Sequence, residues 1–169
     1  MKFIITSLLI AFSLSTYSQA QDENFYLNDS EISWRKAYNT DKTKEQVFAY
    51  FENSDLFKLF KIENGQIYAQ LNKHSIDHKA TGVAGIPKIV NDNDYKGSVV
   101  IEYRVKEKEY VVSFQQLLFV GKGGYFKKEE EQPFEDHFLQ KGVSEYRLYF
   151  LKKPKKVYNA TFSKVFMMK

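Results

Sequence analysis

The sequence predicts an α+β domain: a twisted antiparallel sheet, laid out as a strand, a helix and then a meander, packed on the helix after strand one and closed by a C-terminal helix. Three observations predict it. Aromatic residues make up 17% of the chain, mostly Phe and Tyr, and such side chains favour a pleated, half-buried surface. Apolar groups recur at every second residue in several segments bounded by turn signals. An early and a late segment switch instead to helical spacing.

In Glu31 to Asn39, Ile32, Trp34 and Tyr38 alternate with polar residues, so this stretch reads as strand one, with Trp34 on its core side. Asp41 or Thr43 then caps a helix, Thr43 forming a capping box with Gln46, and Val47, Phe48, Tyr50 and Phe51 give it an apolar face that ends near Asn53. Leu56 to Ile62 and Gln66 to Leu71 flank Glu63-Asn64-Gly65, and Asn-Gly marks a hairpin because both residues tolerate positive φ. Asn72 to Lys96, with Gly82, Gly85, Pro87 and the polar run Asn91 to Asp94, reads as a long connection holding at most a short strand. Such connections often carry function. A second hairpin follows, Ser98 to Val105 and Glu109 to Val120, joined at Lys106-Glu107-Lys108. Gly121 to Gly142 is polar and glycine-rich and reads as an exposed excursion. Ser144 to Leu151 fits strand or helix equally. Pro154 to Met168 favours a helix, with proline suited to the first turn and Tyr158, Phe162, Val165 and Phe166 at helical spacing, although Val157, Tyr158, Thr161 and Phe162 also suit a strand.

The N-terminus has the three parts of an export signal: Lys2, an uncharged apolar run from Phe3 to Leu14, and Ser18-Gln19-Ala20 before Gln21. The apolar run, at ~12 residues, falls short of the ~20 needed to span a bilayer. The expected organisation is therefore a signal peptide over 1–20, a loosely ordered arm over 21–30 and one domain over 31–169, exported to the periplasm or beyond after cleavage near Ala20. Removing the first 20 of 169 residues leaves 149, enough for one two-layer core. Losing Lys2 lowers the net charge from +4 to +3, with both signs scattered, so no anionic partner is demanded. The chain has no cysteine, which excludes disulfides, cysteine metal sites, thiol nucleophiles and lipid attachment through cysteine.

The segments ISWRKAY (32–38), VFAYFENSDLF (47–57) and YKGSVVIEYRVKEKEYVVSFQQLLF (95–119) resemble a family of secreted bacterial proteins described as a domain of unknown function with a fold like the TATA-box-binding protein. The resemblance spans roughly Glu31 to Phe166 and weakens after Gly121. It implies a strand, a helix, a meander of antiparallel strands and terminal helical structure. Its motifs are core aromatics, so it implies fold and brings no catalytic or binding residues with it.

Candidate chemistry is sparse. His74 and His78 would share one face of an extended segment and, with His137, could pinch a metal, although the spacing matches no established zinc motif. No G-x-S-x-G elbow, Walker loop or H-E-x-x-H is present, and Gly121-Lys122-Gly123-Gly124 lacks the Lys-Ser/Thr and strand-to-helix context of a phosphate cradle. Lys152, Lys153, Lys155 and Lys156 flank Pro154 and are candidates for contact with an anionic surface such as lipid headgroups, or form a solvated turn. Lys and Arg elsewhere alternate with Asp and Glu, unlike the basic stripe of a nucleic-acid binder.

The expectation is thus a non-enzymatic binding module of the cell envelope with no cofactor. Its partner would be an envelope protein or small ligand, met through one sheet face or the 72–96 connection, with at most peripheral membrane contact and no nucleic acid. The alternatives are a carrier of a small apolar ligand or lipid in a cavity between sheet and helix and, less favoured, a metal-dependent hydrolase using the histidines.

Overall fold

The computed structural model describes residues 24–77, 81–122 and 130–169. Seven antiparallel strands form one sheet: β1 (Phe25–Asn28), β2 (Glu31–Asn39), β3 (Phe57–Glu63), β4 (Gln66–His74), β5 (Asn93–Arg104), β6 (Glu109–Gly121) and β7 (Glu131–Pro133). Their order is β1-β2-β6-β5-β4-β3, and β7 pairs β6 beyond the end of its pairing with β2. Five helices among the described residues accompany them: α1 (Lys44–Glu52), α2 (Lys88–Asn91), α3 (Phe134–Phe138), α4 (Leu148–Lys152) and α5 (Pro154–Val165). The α+β architecture and the C-terminal helix stand as the sequence predicts.

The alternation in β2 does what period two requires. Ile32 and Trp34 are fully buried, Tyr38 nearly so, and their register partners Phe114 and Tyr110 lie on the same face. α1 begins at Thr43 with the expected capping box, Gln46 N donating to Thr43 Oγ1 at 3.4 Å and Thr43 N to Gln46 Oε1 at 2.9 Å. The Asn64-Gly65 turn has φ of 51° and 73°, the doubly positive pair of a type I′ hairpin.

All five helices bring buried residues to one face. Phe162 of α5 lies 5.7 Å from Trp34, 5.0 Å from Phe114 and 5.0 Å from Tyr95, ring centre to ring centre. Phe51 of α1 meets Tyr110, Phe134 of α3 stacks on Phe119 at 4.4 Å, and Phe150 of α4 meets Phe25. Asn93 Nδ2 donates to Ile89 O and so ties α2 to the start of β5. α1, which follows β2, thus covers one end of the sheet, while α5 covers its centre.

Three expectations are corrected. Residues 25–28, assigned to a loose arm, form an edge strand: Phe25 is buried against Phe150 and Phe162, and Asp29 and Ser30, both at positive φ, turn the chain into β2. The 72–96 connection is shorter than expected, because β4 runs to His74 and β5 already starts at Asn93, so the polar run there is half strand. The Gly121–Gly142 excursion holds β7 and α3, whose Phe134 and Phe138 are fully buried. In both, polar neighbours masked apolar residues used singly. Residues 144–151, left open between strand and helix, make a single bridge, Leu139 to Tyr146, and then α4.

Candidate functional site

With every helix of the described residues on one side, no described element covers the other face of the sheet, and the strand registers assign its residues. One row crosses Arg35, Ser113, Val100, Tyr68 and Lys61. The row beside it crosses Gln115, Ser98, Gln70 and Lys58, and the row on the other side crosses Ala37, Val111, Glu102, Gln66 and Glu63. Ser113, Ser98, Gln115 and Gln70 therefore surround Val100 in the middle of the face, with longer side chains around them. Tyr26, Ser33, Arg35, Ser113 and Gln115 line a shallow hollow of about 170 Å³ on it.

A bulge shapes this face. Two residues of β6 oppose one of β5 between the pairs Lys96–Leu118 and Ser98–Gln115, with Gln116 at φ 50°. The extra residue leaves Gln115 and Gln116 both exposed and returns Leu117 and Phe119 to the core side. Ser98 Oγ donates to Gln116 Oε1 across the bulge at 2.7 Å. Gly97 permits it, since a Cβ there would sit 2.6 Å from Gln115 O.

Charge on the open face alternates. Arg35 lies 3.9 Å from Glu102, Glu102 lies 3.7 Å from Arg104, and Arg104 Nη1 donates to Glu109 Oε1 at 3.0 Å. Partly exposed pairs of this kind add little stability, but they cancel the field that a basic stripe would project.

The histidines are held apart. His74 Nδ1 lies 3.1 Å from Asn72 O and its ring faces Tyr95; His137 Nε2 lies 2.7 Å from Gln132 Oε1 and its ring meets Phe119 edge-on. Tyr95 and Phe119 are register partners standing between them. Burial holds the His137 imidazole below its usual range, with Asp136 opposing and Arg147 adding to that shift. His78 lies outside the described residues. Among the described residues, no three His, Asp or Glu converge as metal ligands.

The four lysines around Pro154 separate as well. Lys155 is corrected as a surface contact: it is 3% exposed, its ammonium 5.8 Å from the centre of the Tyr146 ring. Lys153 Nζ donates to Ala84 O and Gly85 O at 3.0 and 3.2 Å. Lys152 and Lys156 remain at the surface.

One polar trio was not legible in the sequence. Ser75 Oγ donates to Asp94 Oδ1 at 2.5 Å, and Lys122 Nζ reaches Asp94 at 2.6 Å and Ser75 Oγ at 2.8 Å. The hydroxyl proton and the ammonium are both spent on the Asp94 carboxylate, so the trio fastens the chain after β4 to the ends of β5 and β6. Glu135 is a second such case. Its Oε1 accepts Ile32 N at 2.7 Å, and burial raises its carboxyl above the usual range against that hydrogen bond. A cleft of about 840 Å³ lies between the β2–α1 connection and the β5–β6 turn and is lined by turn residues of both charges, including Asp41, Lys42, Glu45 and Lys108.

Two solved bacterial structures match this fold. One is a TBP-like protein from Parabacteroides distasonis ATCC 8503, 15% identical, over 83% of this chain and 94% of that one, with a TM-score of 0.49. The other is a DUF4468 family protein from Bacteroides ovatus ATCC 8483, 10% identical, over 86% of this chain and 92% of that one, with a TM-score of 0.48. The first carries the description of the family that the sequence resembles. No protein-family model matches the chain, and no curated protein does.

Proposed function

We propose that the chain is a non-enzymatic binding module of the bacterial cell envelope that engages its partner through the open face of the sheet. The observation that supports it is the division of the sheet into one face sealed by helices and one face, rich in serines, glutamines and tyrosines, that no element among the described residues covers. Solvated sheet faces are common in antiparallel proteins. This one adds a hollow bordered by Tyr26 and Arg35, and side chains with donors and acceptors turned outward. Its alternating charges suit a polar partner better than a polyphosphate.

A carrier of an apolar ligand has less support. The space between sheet and α5, where a cavity would lie, is filled by Trp34, Tyr95, Phe114, Phe162 and Phe166, all fully buried. A histidine-based hydrolase has less still, given the two rings between His74 and His137.

The test places a photo-crosslinking residue at Ser113, at the centre of the open face, and at Lys106 in the β5–β6 turn. A discrete adduct formed from Ser113 in the protein's own envelope, absent from Lys106 and lost in Arg35→Ala/Tyr68→Ala with melting unchanged, is the expected result. No adduct from Ser113 overturns the reading, as does turnover in a hydrolase panel that a single substitution abolishes.

A further inference from the structure

The C-terminal quarter of the chain carries surface features that neither the core nor the open face uses. Of nine large apolar residues exposed among the described residues, four, Val143, Leu148, Tyr149 and Leu151, lie within nine consecutive positions. Leu148 is 74% exposed and Leu151 39%. Tyr149 leans on Phe138, but α4 does not need the two leucines for packing. Its inner side is Phe150, fully buried, 4.6 Å from Phe138 and 5.5 Å from Phe25. Leu148, Leu151 and Lys152 follow at helical spacings of three and four and so share a face away from that anchor.

From Tyr146 onward, with Glu145 standing just before, the charge along the chain has one sign. From Tyr146 to Lys169 the chain has seven Lys and Arg and no Asp or Glu, although the molecule as a whole is only +4. Lys155 is buried and Lys153 is committed to the carbonyls of Ala84 and Gly85, as described above. Lys153 thereby holds the uncharged loop Thr81–Pro87, with Gly82, Ala84 and Gly85 exposed, beside the α4–α5 junction. Lys152 and Lys156 stay exposed next to the leucines.

Exposed leucines backed by an acid-free run of lysines match a surface that is apolar below and anionic above. We infer that α4 and the α4–α5 junction form a membrane-docking wedge, with Leu148 and Leu151 entering the boundary of an anionic phospholipid bilayer and Lys152 and Lys156 meeting its headgroup phosphates. An interfacial contact of this kind draws on buried apolar area and on attraction to anionic lipid together. Either alone would be weak. The rigid seat of Phe150 presents the wedge without any rearrangement. No helix among the described residues is long and apolar enough to cross a membrane, so the contact is peripheral. The inference is independent of the open-face reading, since the two surfaces share no residue.

The test is co-sedimentation of the chain from Gln21 onward, which contains every described core residue, with vesicles of phosphatidylcholine with and without phosphatidylglycerol. Binding is expected with the anionic vesicles and expected to weaken as salt rises. Leu148→Gln/Leu151→Gln should weaken it about tenfold or more at every salt concentration. Lys152→Glu/Lys156→Glu should weaken it about fivefold or more per lysine and flatten the salt dependence. Lys42→Glu/Lys106→Glu, of equal charge change elsewhere on the surface, should bind as the parent does. Melting curves of all three should overlay the parent's. The inference is overturned if anionic vesicles do not bind, if the leucine variant binds as the parent does, or if the charge-matched control loses as much as Lys152→Glu/Lys156→Glu. Absence of vesicle binding together with a dimer that the leucine variant dissolves would assign the face to a second copy and overturn it equally.

Discussion

At the scale of single residues, the decisive positions are those where space or a buried polar group leaves no alternative. Gly97 is one. A methyl group there would meet Gln115 O at 2.6 Å and the Phe114 ring at 2.8 Å, and neither a sheet carbonyl nor a packed ring can retreat. Gly97→Ala is therefore expected to cost about 1–3 kcal/mol, read as a lower midpoint of urea unfolding with the slope unchanged. Tyr110 is another. Its hydroxyl donates to Phe166 O at 2.9 Å and accepts Met168 N at 3.0 Å, fastening the C-terminus to the sheet. Burial pushes it from the ordinary value of 10.0 up to about 12, against the Met168 hydrogen bond and with a smaller push from Tyr50. The folded state thus holds this proton more tightly than the unfolded chain does. The stability it contributes is whole below pH 10 and is lost as pH rises toward about 12. Tyr38 and Tyr95, raised chiefly by burial as well, act in the same direction. Unfolding free energy measured against pH should fall above pH 10, and Tyr110→Phe should reduce that fall; a flat profile would contradict the assignment. The aromatic identity of Gly97's neighbours was legible in the sequence. Its need for glycine was not, because that depends on a bulge in the partner strand.

At the scale of elements, local signals were reliable where they were complete within a few residues. The box at Thr43 and Gln46 and the turn at Asn64-Gly65 formed where expected, because a cap or a two-residue turn is decided by neighbours in the chain. Thr43→Ala removes the acceptor for Gln46 N and should cost about 1 kcal/mol, seen as a fall in the unfolding midpoint, whereas Asp41→Ala, at the other capping candidate, should leave it unchanged. β1, β7 and α3 were missed for the converse reason. Each is three to five residues long, too short for a period to show, and each is held by what it packs on: Phe25 by Phe150, β7 by the far end of β6, Phe134 by Phe119. The Phe25-Tyr26-Leu27 run before Asn28-Asp29-Ser30 was a usable strand-and-turn signal for β1. The helical preference of Pro154 to Val165 came true because one side of that spacing, Val157, Tyr158, Thr161 and Phe162, found a sheet face to cover.

At the scale of the whole molecule, the candidate surfaces are products of assembly. Which side of the sheet remained open followed from the alternation in β2, β5 and β6, since the face carrying Trp34, Ile101 and Phe114 had to be covered. The open face was therefore foreseeable, though not the register that sets Arg35, Ser113, Val100 and Tyr68 in one row. Of the His74, His78 and His137 set, His74 and His137 do not meet, because sequence proximity to polar residues says nothing about two aromatic rings lying between them. The lysine cluster divides, since four adjacent cations do not reveal that one turns inward over Tyr146 and another toward Ala84 O. By itself the sequence determined the long strands β2 to β6, the helices α1 and α5 and the side that faces the core, because hydrophobic periodicity and turn chemistry act within a few residues. Only the tertiary structure decided which polar groups meet and which apolar ones stay outside, because contacts such as Ser75 with Asp94 and Lys122, or the exposure of Leu148, depend on where distant segments come to rest.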